Sequence, residues 1–378
     1  MSEQGFIEPD LDFITSLKEA GGDSLKKCYQ CATCTVVCNV TPQDKPFPRK
    51  EMIWAQWGLK DKLMYNPDIW LCHQCGDCST YCPRGAKPMD VMSAVRNMSF
   101  REFAVPSFLG GWLANPGCLL PLFTIPIAIL FLALMAWHSG ISIPTGEIEY
   151  AKFFPIKLID TIFIPVALFV TVTSLLSIRN FWMGLKKHNN VEGGLNIVGG
   201  IIGAVTDILT HKRFRECDTN ASRYTSHLLT FFGFLALFAT TNLVMVLLYG
   251  LGIHTPLPLD NPVKLLGNAG AIAAFIGVTI IVINRLTNEE KTGKSSYYDW
   301  TFILVLYLTV ITGILSELTR LAEMPGAAYP VYFVHLVFVF FLIAYLPFSK
   351  FAHMIYRATA MVFANAIDRK KNESAPTL

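Results

Sequence analysis

Two closely spaced runs of cysteine near the N-terminus constrain this chain more than any other feature. In each run, three cysteines are separated from one another by two residues, and a fourth follows after a gap of three. The members are Cys28, Cys31, Cys34 and Cys38 in the first run and Cys72, Cys75, Cys78 and Cys82 in the second. Three thiolates at this spacing can occupy three corners of one iron–sulfur cube, while the fourth points elsewhere.

The fourth cysteine of each run indicates crossed ligation, because in two-cluster ferredoxins it binds the other cluster. We therefore predict two [4Fe–4S] clusters, with Cys28, Cys31, Cys34 and Cys82 as ligands of the first and Cys72, Cys75, Cys78 and Cys38 as ligands of the second. Zinc is one alternative, but zinc sites usually use two well-separated C-x2-C pairs. Disulfides are another, but they suit secreted chains, and the N-terminus does not read as a cleavable signal peptide.

Composition divides the chain into two parts. Hydrophobic residues make up 52% of the 378 residues and charged residues 16%, whereas about a quarter is typical of soluble domains. Eight of the ten cysteines lie in residues 1–105, which we assign to the cluster domain. Residues 106–118, with Pro106 and Gly110-Gly111, read as a linker. The net charge of +3 is too small to indicate a nucleic-acid partner.

Six apolar segments follow the linker, and each has the ~20 residues that a membrane-spanning helix needs, or nearly so. They cover approximately 119–138, 158–178, 227–250, 265–284, 299–317 and 330–348. We predict a membrane domain over 119–358, with a connection over 179–226 between its second and third spans and a cytoplasmic tail over 359–378.

The distribution of lysine and arginine predicts the orientation in the membrane. Basic residues crowd the 179–226 connection, the loop between spans four and five, and the segment after span six. The opposite loops hold only Lys152, Lys157, Lys264 and Arg320. We therefore expect a multi-pass protein of the cytoplasmic (inner) membrane, in contact with lipid, whose cluster domain and C-terminus face the cytoplasm. Within the connection, apolar residues recur at helical spacing from Leu195 to Leu209, which predicts a helix either on the membrane surface or against the cluster domain.

Histidines at membrane depth are candidate haem ligands, because ionisable residues there are functional by default. His335 and His353 are 18 residues apart, which is five helical turns and a rise of roughly 27 Å, so on one helix they would share a face. That spacing predicts one ligand near each membrane surface. The alternative is two interfacial histidines in register by chance.

Partners for these two histidines can be named. His227 opens span three on the side where His353 closes span six, so we predict that this pair holds one haem b. His335 needs a partner near the outer surface, where we prefer His138 over His254. The predicted fold is therefore mainly α: a helical two-[4Fe–4S] ferredoxin domain followed by a six-helix transmembrane cytochrome b bundle. We expect His211, in the charged connection, to be solvated.

A quinone site is predicted at the outer end of span five. Glu317, Arg320 and Glu323 could take up the protons of a quinol there. Charges at span ends are common, so these residues could equally mark the membrane surface.

The cysteine runs resemble those of heterodisulfide reductase C subunits, and the membrane part looks like the cytochrome b subunits of heterodisulfide reductase and nitrate reductase. Their fusion in one chain is similar to the C subunits of the quinone-interacting membrane-bound oxidoreductase complexes of sulfate reducers. This resemblance implies menaquinol as donor, two b haems, soluble flavin- and iron–sulfur-containing partner subunits, and adenylylsulfate reductase as acceptor. In one respect the chain departs from the nitrate reductase pattern, because Leu237 stands where a second histidine of span three is expected.

Two other functions are open. The chain could serve a complex that reduces a heterodisulfide, or it could be a transporter subunit whose cluster domain senses redox state. Transporters tend to contain internal repeats, and none is convincing among these six spans.

Overall fold

The structure is a computed structural model that describes residues 8–42, 45–138, 143–189, 191, 194–211, 221–288 and 292–369. Helices dominate the described residues. In the N-terminal part they are α1 (Leu11–Leu17), α2 (Thr33–Val36), α3 (Arg49–Gln56), α4 (Lys60–Met64), α5 (Pro67–Leu71), α6 (Asp77–Thr80), α7 (Pro88–Phe103) and α8 (Ser107–Ala114). In the remainder they are α9 (Leu119–His138), α10 (Tyr150–Phe153), α11 (Ile156–His188), α12 (Ile197–Thr210), α13 (Ala221–Leu251), α14 (Pro262–Thr287), α15 (Tyr297–Leu321), α16 (Pro325–Ala344) and α17 (His353–Ala366).

The cluster domain is built from short helices around the longer helix α7. Asn66 caps α5 by accepting a hydrogen bond from the Asp68 amide, and Pro67 takes the first helical position, where its missing N–H costs nothing. This start places Trp70 in the core, where its ring meets Phe100 of α7 at a centroid distance of 5.4 Å. The C-terminal end of α5 thereby delivers Cys72 directly into the protein interior.

Among the described residues, six helices are long and apolar enough to cross a membrane, as predicted. They are α9, α11, α13, α14, α15 and α16. Large apolar side chains on these helices are exposed, among them Leu168 at 65% and Phe238 at 68%. Such exposure would be costly in water but is what a helix needs where it faces lipid.

The sixth span ends earlier than predicted, and this changes the position of His353. Helix α16 stops at Ala344, and two short 3-10 turns follow over Leu346–Phe348 and Lys350–Ala352. Pro347 lies in the first of these turns, and it cannot continue an α-helix because it has no N–H to donate. His353 is therefore the first residue of a separate helix, α17. The prediction that His335 and His353 share one helix face is wrong.

Helix α17 belongs to the protein core and is not part of a loose tail. Tyr356 and Phe363 are fully buried in the same apolar cluster as Trp70 of the cluster domain and Phe181 of α11. The rings of Trp70 and Tyr356 are 5.2 Å apart. The tail predicted from residue 359 is thus a core helix as far as Ala366, and the predicted linker over 106–118 contains helix α8. The cluster domain and the membrane domain share one hydrophobic core.

Helix α12 in the connection packs closely on α17. A Cβ at Gly200 would lie 2.6 Å from the Val362 carbonyl oxygen, so only glycine permits this approach. Its other face is apolar and exposed, with Ile197, Val198, Ile201, Ile202, Val205 and Leu209 all 45% exposed or more. The inner face packs in one cluster with Val40 and Leu71, which adjoin the cysteine runs. Packing against the cluster domain, one of the two predicted alternatives, is therefore observed.

Candidate functional site

The two cysteine runs fold into loops of matching backbone conformation. Gln30 and Gln74, each two residues after the first cysteine of its run, have φ of +61° and +55°. Ala32 and Gly76, each directly after the second cysteine, have φ of +70° and +100°. A left-handed conformation costs roughly 1–2 kcal/mol for a residue with a side chain. The repeated strain at matching positions indicates that the two loops have the same backbone shape and the same role.

The thiols fall into two neighbourhoods that correspond to the predicted ligand sets. Cys28, Cys31 and Cys82 act electrostatically on Cys34, which places one thiol of the second run beside the first. The other set, Cys38, Cys72, Cys75 and Cys78, lines a single cavity between the two loops. The assignment of each cysteine to a cluster remains a prediction, and this grouping supports it.

The buried thiols of the two cysteine sets are suited to bind a metal cluster as thiolates. Burial, followed by the neighbouring thiols Cys28, Cys31 and Cys82, raises the pKa of Cys34 to about 11. Burial raises the pKa of Cys38 to about 12, with Cys72 adding to it. Burial and the neighbouring thiols thus disfavour ionisation of these cysteines. Metal binding stabilises them as thiolates, because the thiolate is the form that binds the metal. Among the described residues, no three His, Cys, Asp or Glu side chains converge on a single-ion site.

The two cysteine neighbourhoods differ in depth. Cys31 of the first set is exposed, whereas Cys72 of the second set is buried. The first set therefore contains the one exposed thiol among these eight cysteines, whereas the thiols of the second set are buried or half-buried.

His353 and His227 form a histidine cluster at the junction of the two domains. The His353 Nδ1–H donates to the Lys350 carbonyl at 2.7 Å, which leaves Nε2 as the atom that could bind a metal. His353 also lies close enough to His227, in the first turns of α13, to act on it electrostatically. Phe302 packs edge-on against His353 at a centroid distance of 6.4 Å. Two imidazoles on different helices, one oriented by a backbone carbonyl and flanked by an aromatic ring, suit a bis-histidine haem b.

His211 joins this cluster, against expectation. It is only 3% exposed, and its Nε2 lies 3.2 Å from Nδ1 of His227. It stands directly after α12 with φ of +50°, so the end of that helix turns its ring toward α13. The prediction that His211 is solvated is wrong. Its position in a charged stretch of sequence concealed its burial.

Three arginines connect the histidine cluster to the second cysteine loop. Arg357 lies one helical turn after His353 on α17. Its guanidinium donates to the Cys72 carbonyl at 3.2 Å and contacts Nδ1 of His73 at 3.0 Å. The helix that begins with one candidate haem ligand is thus bonded directly to the loop of one candidate cluster ligand.

The other two arginines reach the same loop from different helices. Arg223 lies one turn before His227 on α13, and its guanidinium donates to the Gln74 carbonyl. Arg96 of α7 donates to the Cys72 carbonyl at 3.2 Å and to the Gln74 side-chain oxygen at 2.9 Å. We call Arg96, Arg223 and Arg357 the arginine cluster. The sequence contains a trace of it, since His227 and His353 each have an arginine four residues away, but the shared target is visible only in the fold.

The structure does not bring together His335 and His138, the predicted ligands of the outer haem. His335 lies ten residues into α16, about 15 Å from its outer end, and not near the outer surface. Its Nδ1 contacts the Thr309 carbonyl at 3.1 Å on the neighbouring helix α15. The first and sixth spans run in opposite directions, and Phe123 stacks on Phe341, which places His138 about 14 Å beyond the level of His335. His138 instead bonds to the Phe153 carbonyl at 2.9 Å. His254 is exposed in a loop.

The predicted quinone residues are partly brought together. Glu317 forms ion pairs with Arg320 at 2.9 Å and with Lys264 at 2.7 Å. Glu323 is exposed, with φ of +54°, and lies outside this network. Beside the network, sequence analysis missed a group of tyrosines. Tyr150 stacks on Tyr332 at 4.2 Å and donates to the Ser316 carbonyl. The hydroxyl of Tyr329 is buried there and has no hydrogen-bond partner among the described residues.

A second cavity lies at the opposite end of α15, close to His353. Its lining is mostly apolar and includes Tyr298, Thr301, Phe302 and Lys350. The ring of Phe302 separates this cavity from the His353 imidazole.

Comparison with known proteins defines the class first. Residues 24–86 match the 4Fe-4S dicluster domain, and residues 113–375 match the family described as citrate utilization protein B. The chain is thus a membrane-spanning protein with an iron–sulfur dicluster domain. Because the second match covers well over half of its length, the chain belongs to the citrate utilization protein B family. Citrate utilization protein B of Escherichia coli is 25% identical over 370 residues, which is 93% of this chain and 92% of that protein.

Each half of the chain also has its own relatives. The C subunit of the H(2):CoB-CoM heterodisulfide,ferredoxin reductase of Methanothermobacter marburgensis is 40% identical over 89 residues, 23% of this chain and 48% of that protein. The chain therefore spans about half the length of the C subunits that it matches. The E subunit of the dihydromethanophenazine:CoB–CoM heterodisulfide reductase of Methanosarcina thermophila is 31% identical over 195 residues, 48% of this chain and 72% of that protein. The chain is thus similar to a fusion of the two kinds of protein. No solved structure matches it significantly.

Proposed function

We propose that this chain is the membrane subunit of an oxidoreductase complex and carries electrons between a quinone pool and soluble redox partners. In the proposal, His227 and His353 hold one haem b, and the eight cysteines hold two [4Fe–4S] clusters with crossed ligation. These groups supply one-electron chemistry that no side chain of the protein offers. Support comes from the dicluster domain and from relatives named as subunits of heterodisulfide reductases.

The arginine cluster is the observation that carries the proposal. Arg357 and Arg223 each lie one turn from a candidate haem ligand, and both bond to residues 72–74. These bonds hold the second cysteine set against the histidine cluster. Their positive charges also favour an added electron there, since charge and hydrogen bonding set cluster potentials. The proposed order is therefore quinone, haem, second cluster, first cluster and soluble partner.

The replacement Arg357→Gln tests this order. We expect the variant to keep its haem and both clusters, but to transfer electrons more slowly from haem to cluster and to show a lower potential for the second cluster. EPR-monitored redox titration and stopped-flow spectroscopy would measure both effects. Arg101→Gln, an exposed arginine at the end of α7, is the control. A purified protein without b-haem bands in its reduced-minus-oxidised spectrum would contradict the proposal as a whole.

The quinone site is proposed beside Glu317. The ion pairs of Glu317 and the unpartnered Tyr329 hydroxyl provide polar groups that could bind a quinol and receive its protons. An outer site requires a second haem at the level of His335, so haem stoichiometry in His335→Ala and His138→Ala variants tests it. If the protein contains a single haem that survives both changes, the cavity beside Phe302 and Lys350 replaces Glu317 as the candidate.

The redox partners are proposed from the resemblance of this chain to known families. Menaquinol as donor, soluble flavin- and iron–sulfur-containing subunits, and adenylylsulfate reductase as final acceptor follow from the likeness to the C subunits of quinone-interacting oxidoreductase complexes. The relatives named as heterodisulfide reductase subunits favour a second candidate, a heterodisulfide reductase-like complex. Purification of the native complex, followed by assays with adenylylsulfate and with a heterodisulfide, would separate the two.

A further inference from the structure

The surface beside the first cysteine set carries exposed apolar and aromatic side chains. Three large side chains that adjoin its ligands in sequence are exposed: Tyr29 at 68%, Val36 at 58% and Tyr81 at 51%. They lie close together, because α2 packs on α6 and the guanidinium of Arg84 stacks 4.2 Å above the Tyr29 ring. An exposed apolar patch that includes aromatic rings is typical of a protein contact surface.

The same surface is positively charged. The stretches 23–36 and 79–87 contain Lys26, Lys27, Arg84 and Lys87 but only one acidic residue, Asp23. All of these side chains are exposed. The Cys31 thiol is exposed among them, and Arg49 of α3 lies close enough to act on it electrostatically.

We infer that Tyr29, Val36, Tyr81, Lys26, Lys27 and Arg84 form a docking surface for the acidic face of a soluble redox protein. We call these six residues the first-cluster rim. The apolar members would form the centre of the contact, and the basic members would steer an acidic partner toward Cys31 and fix its orientation. The inference rests on the proposed function. It adds the place where electrons leave or enter the chain, and it specifies that the contacting face of the partner is acidic.

The location of the rim supports this assignment. The second cysteine set is bonded by the arginine cluster to the membrane helices, so that side is already covered. The first set contains the most accessible thiol, Cys31, which is exposed, whereas the thiols of the second set are buried or half-buried. A partner bound at the rim would therefore place its own redox group next to the outermost centre of the chain.

Two forms of one acceptor protein make a matched probe of the rim. Native cytochrome c is basic, whereas succinylated cytochrome c carries carboxylates on its lysines and is acidic. The purified full-length chain is reduced and freed of reductant, and each cytochrome is then added. One electron leaves the reduced first cluster and converts one ferric cytochrome c to the ferrous form, and no proton is exchanged. The rate is read from the cytochrome absorbance.

The wild type is expected to reduce the succinylated cytochrome faster, and added salt should remove this preference, since steering changes rates by about 10–1,000-fold and is screened. In the triple variant Lys26→Glu, Lys27→Glu, Arg84→Glu, the rate with the acidic cytochrome should fall about tenfold and the rate with the native form should rise. The control pair Lys186→Glu, Lys187→Glu reverses two exposed charges at the end of α11, outside the first-cluster rim, and should change neither rate.

The following outcomes would test the docking surface and the proposed function separately. A wild type that prefers the basic cytochrome, or a triple variant whose preference matches that of the control pair, overturns the docking surface. If the triple variant loses its clusters, the salt dependence of the wild type with the two cytochromes decides alone. A wild type without iron–sulfur EPR signals would instead refute the proposed function, so the two failures are distinguishable.

Discussion

At the scale of single residues, the cysteine loops combine local strain with long-range support. Gln30, Ala32 and Gln74 adopt left-handed conformations that the residues around them must stabilise. The second loop receives that support from the arginine cluster, which satisfies the carbonyl groups of Cys72 and Gln74. Side chains that hold the loops are therefore as important to the site as the thiols themselves.

Crossed ligation makes a prediction for Cys82, which belongs to the second run but is grouped with the first set. In Cys82→Ser, the EPR signal of the first cluster should be lost or altered, as in Cys31→Ser, because both residues would ligate the same iron–sulfur cube. In Cys78→Ser the signal of the second cluster should change instead. Iron content and EPR spectra of the three variants provide the measurement. A Cys82→Ser spectrum that matches Cys78→Ser would mean that each run binds its own cluster.

A buried carboxyl group in the cluster domain predicts a dependence of stability on pH. Burial raises the pKa of Glu51 to about 7, while Lys50 opposes the shift and Asp68 adds to it. Between the unfolded value of 4.5 and about 7, the folded chain holds a proton that the unfolded chain lacks. The free energy of unfolding should therefore fall as pH rises through this window, by at most about 3 kcal/mol.

The replacement Glu51→Gln isolates this effect. Glutamine is neutral at every pH and keeps an oxygen that can accept the 2.6 Å hydrogen bond from Asn66. The loss of thermal stability between about pH 5 and about pH 8 should therefore be smaller in the variant than in the wild type. The loss of cluster absorbance on heating would measure the thermal stability at each pH. The control is Glu102→Gln, at an exposed pair with Lys60, and an equal change in both variants would contradict the assignment to Glu51.

At the scale of elements, α17 and α12 connect the two domains. Helix α17 begins with His353. Its Arg357 donates a hydrogen bond to the second cysteine loop, and its Tyr356 is buried against Trp70. Helix α12 packs on α17 and ends at His211, which contacts His227. The histidine cluster therefore depends on how closely two helices outside the six spans approach one another.

Gly200 provides a test of that dependence. A side chain at this position meets the Val362 carbonyl oxygen, so Gly200→Leu must push α12 away from α17. Overpacking of this kind costs roughly 1–3 kcal/mol, and we expect lower thermal stability together with less haem bound per protein. Gly194→Leu is a matched control, since nothing lies within 4 Å of a Cβ there. Haem content from the pyridine haemochrome assay is the measurement, and equal haem in both variants would contradict the role of α12.

At the scale of the whole molecule, the shared core makes the cluster domain and the membrane domain one unit. Trp70, Phe181 and Tyr356 come from the cluster domain, the second span and the C-terminal helix, yet they pack in one cluster. The distance between the second cysteine set and the histidine cluster is thus set by packed side chains and not by a flexible linker. A fixed distance suits the electron transfer that we propose between the two.

The orientation in the membrane is a prediction for the whole molecule. The distribution of basic residues predicts that the 179–226 connection lies in the cytoplasm and the loop around Glu147 outside. With a membrane-impermeant maleimide on spheroplasts, a Glu147→Cys variant should be labelled above the background of the unsubstituted protein, and a Lys186→Cys variant should not. Both positions are exposed, so labelling of the Lys186→Cys variant alone would reverse the proposed topology.

The sequence by itself determined the features that depend on local pattern. Thiol spacing predicted the dicluster domain, and runs of about twenty apolar residues predicted the six spans, because each signal lies within one short segment. What only the tertiary structure decided is where separate segments meet. Pro347 ends the sixth span and moves His353 to a new helix, and the burial of His211 and the meeting of three arginines at residues 72–74 arise from contacts between distant segments. Such contacts leave no local period in a sequence, since the residues that make them are chosen by packing in three dimensions.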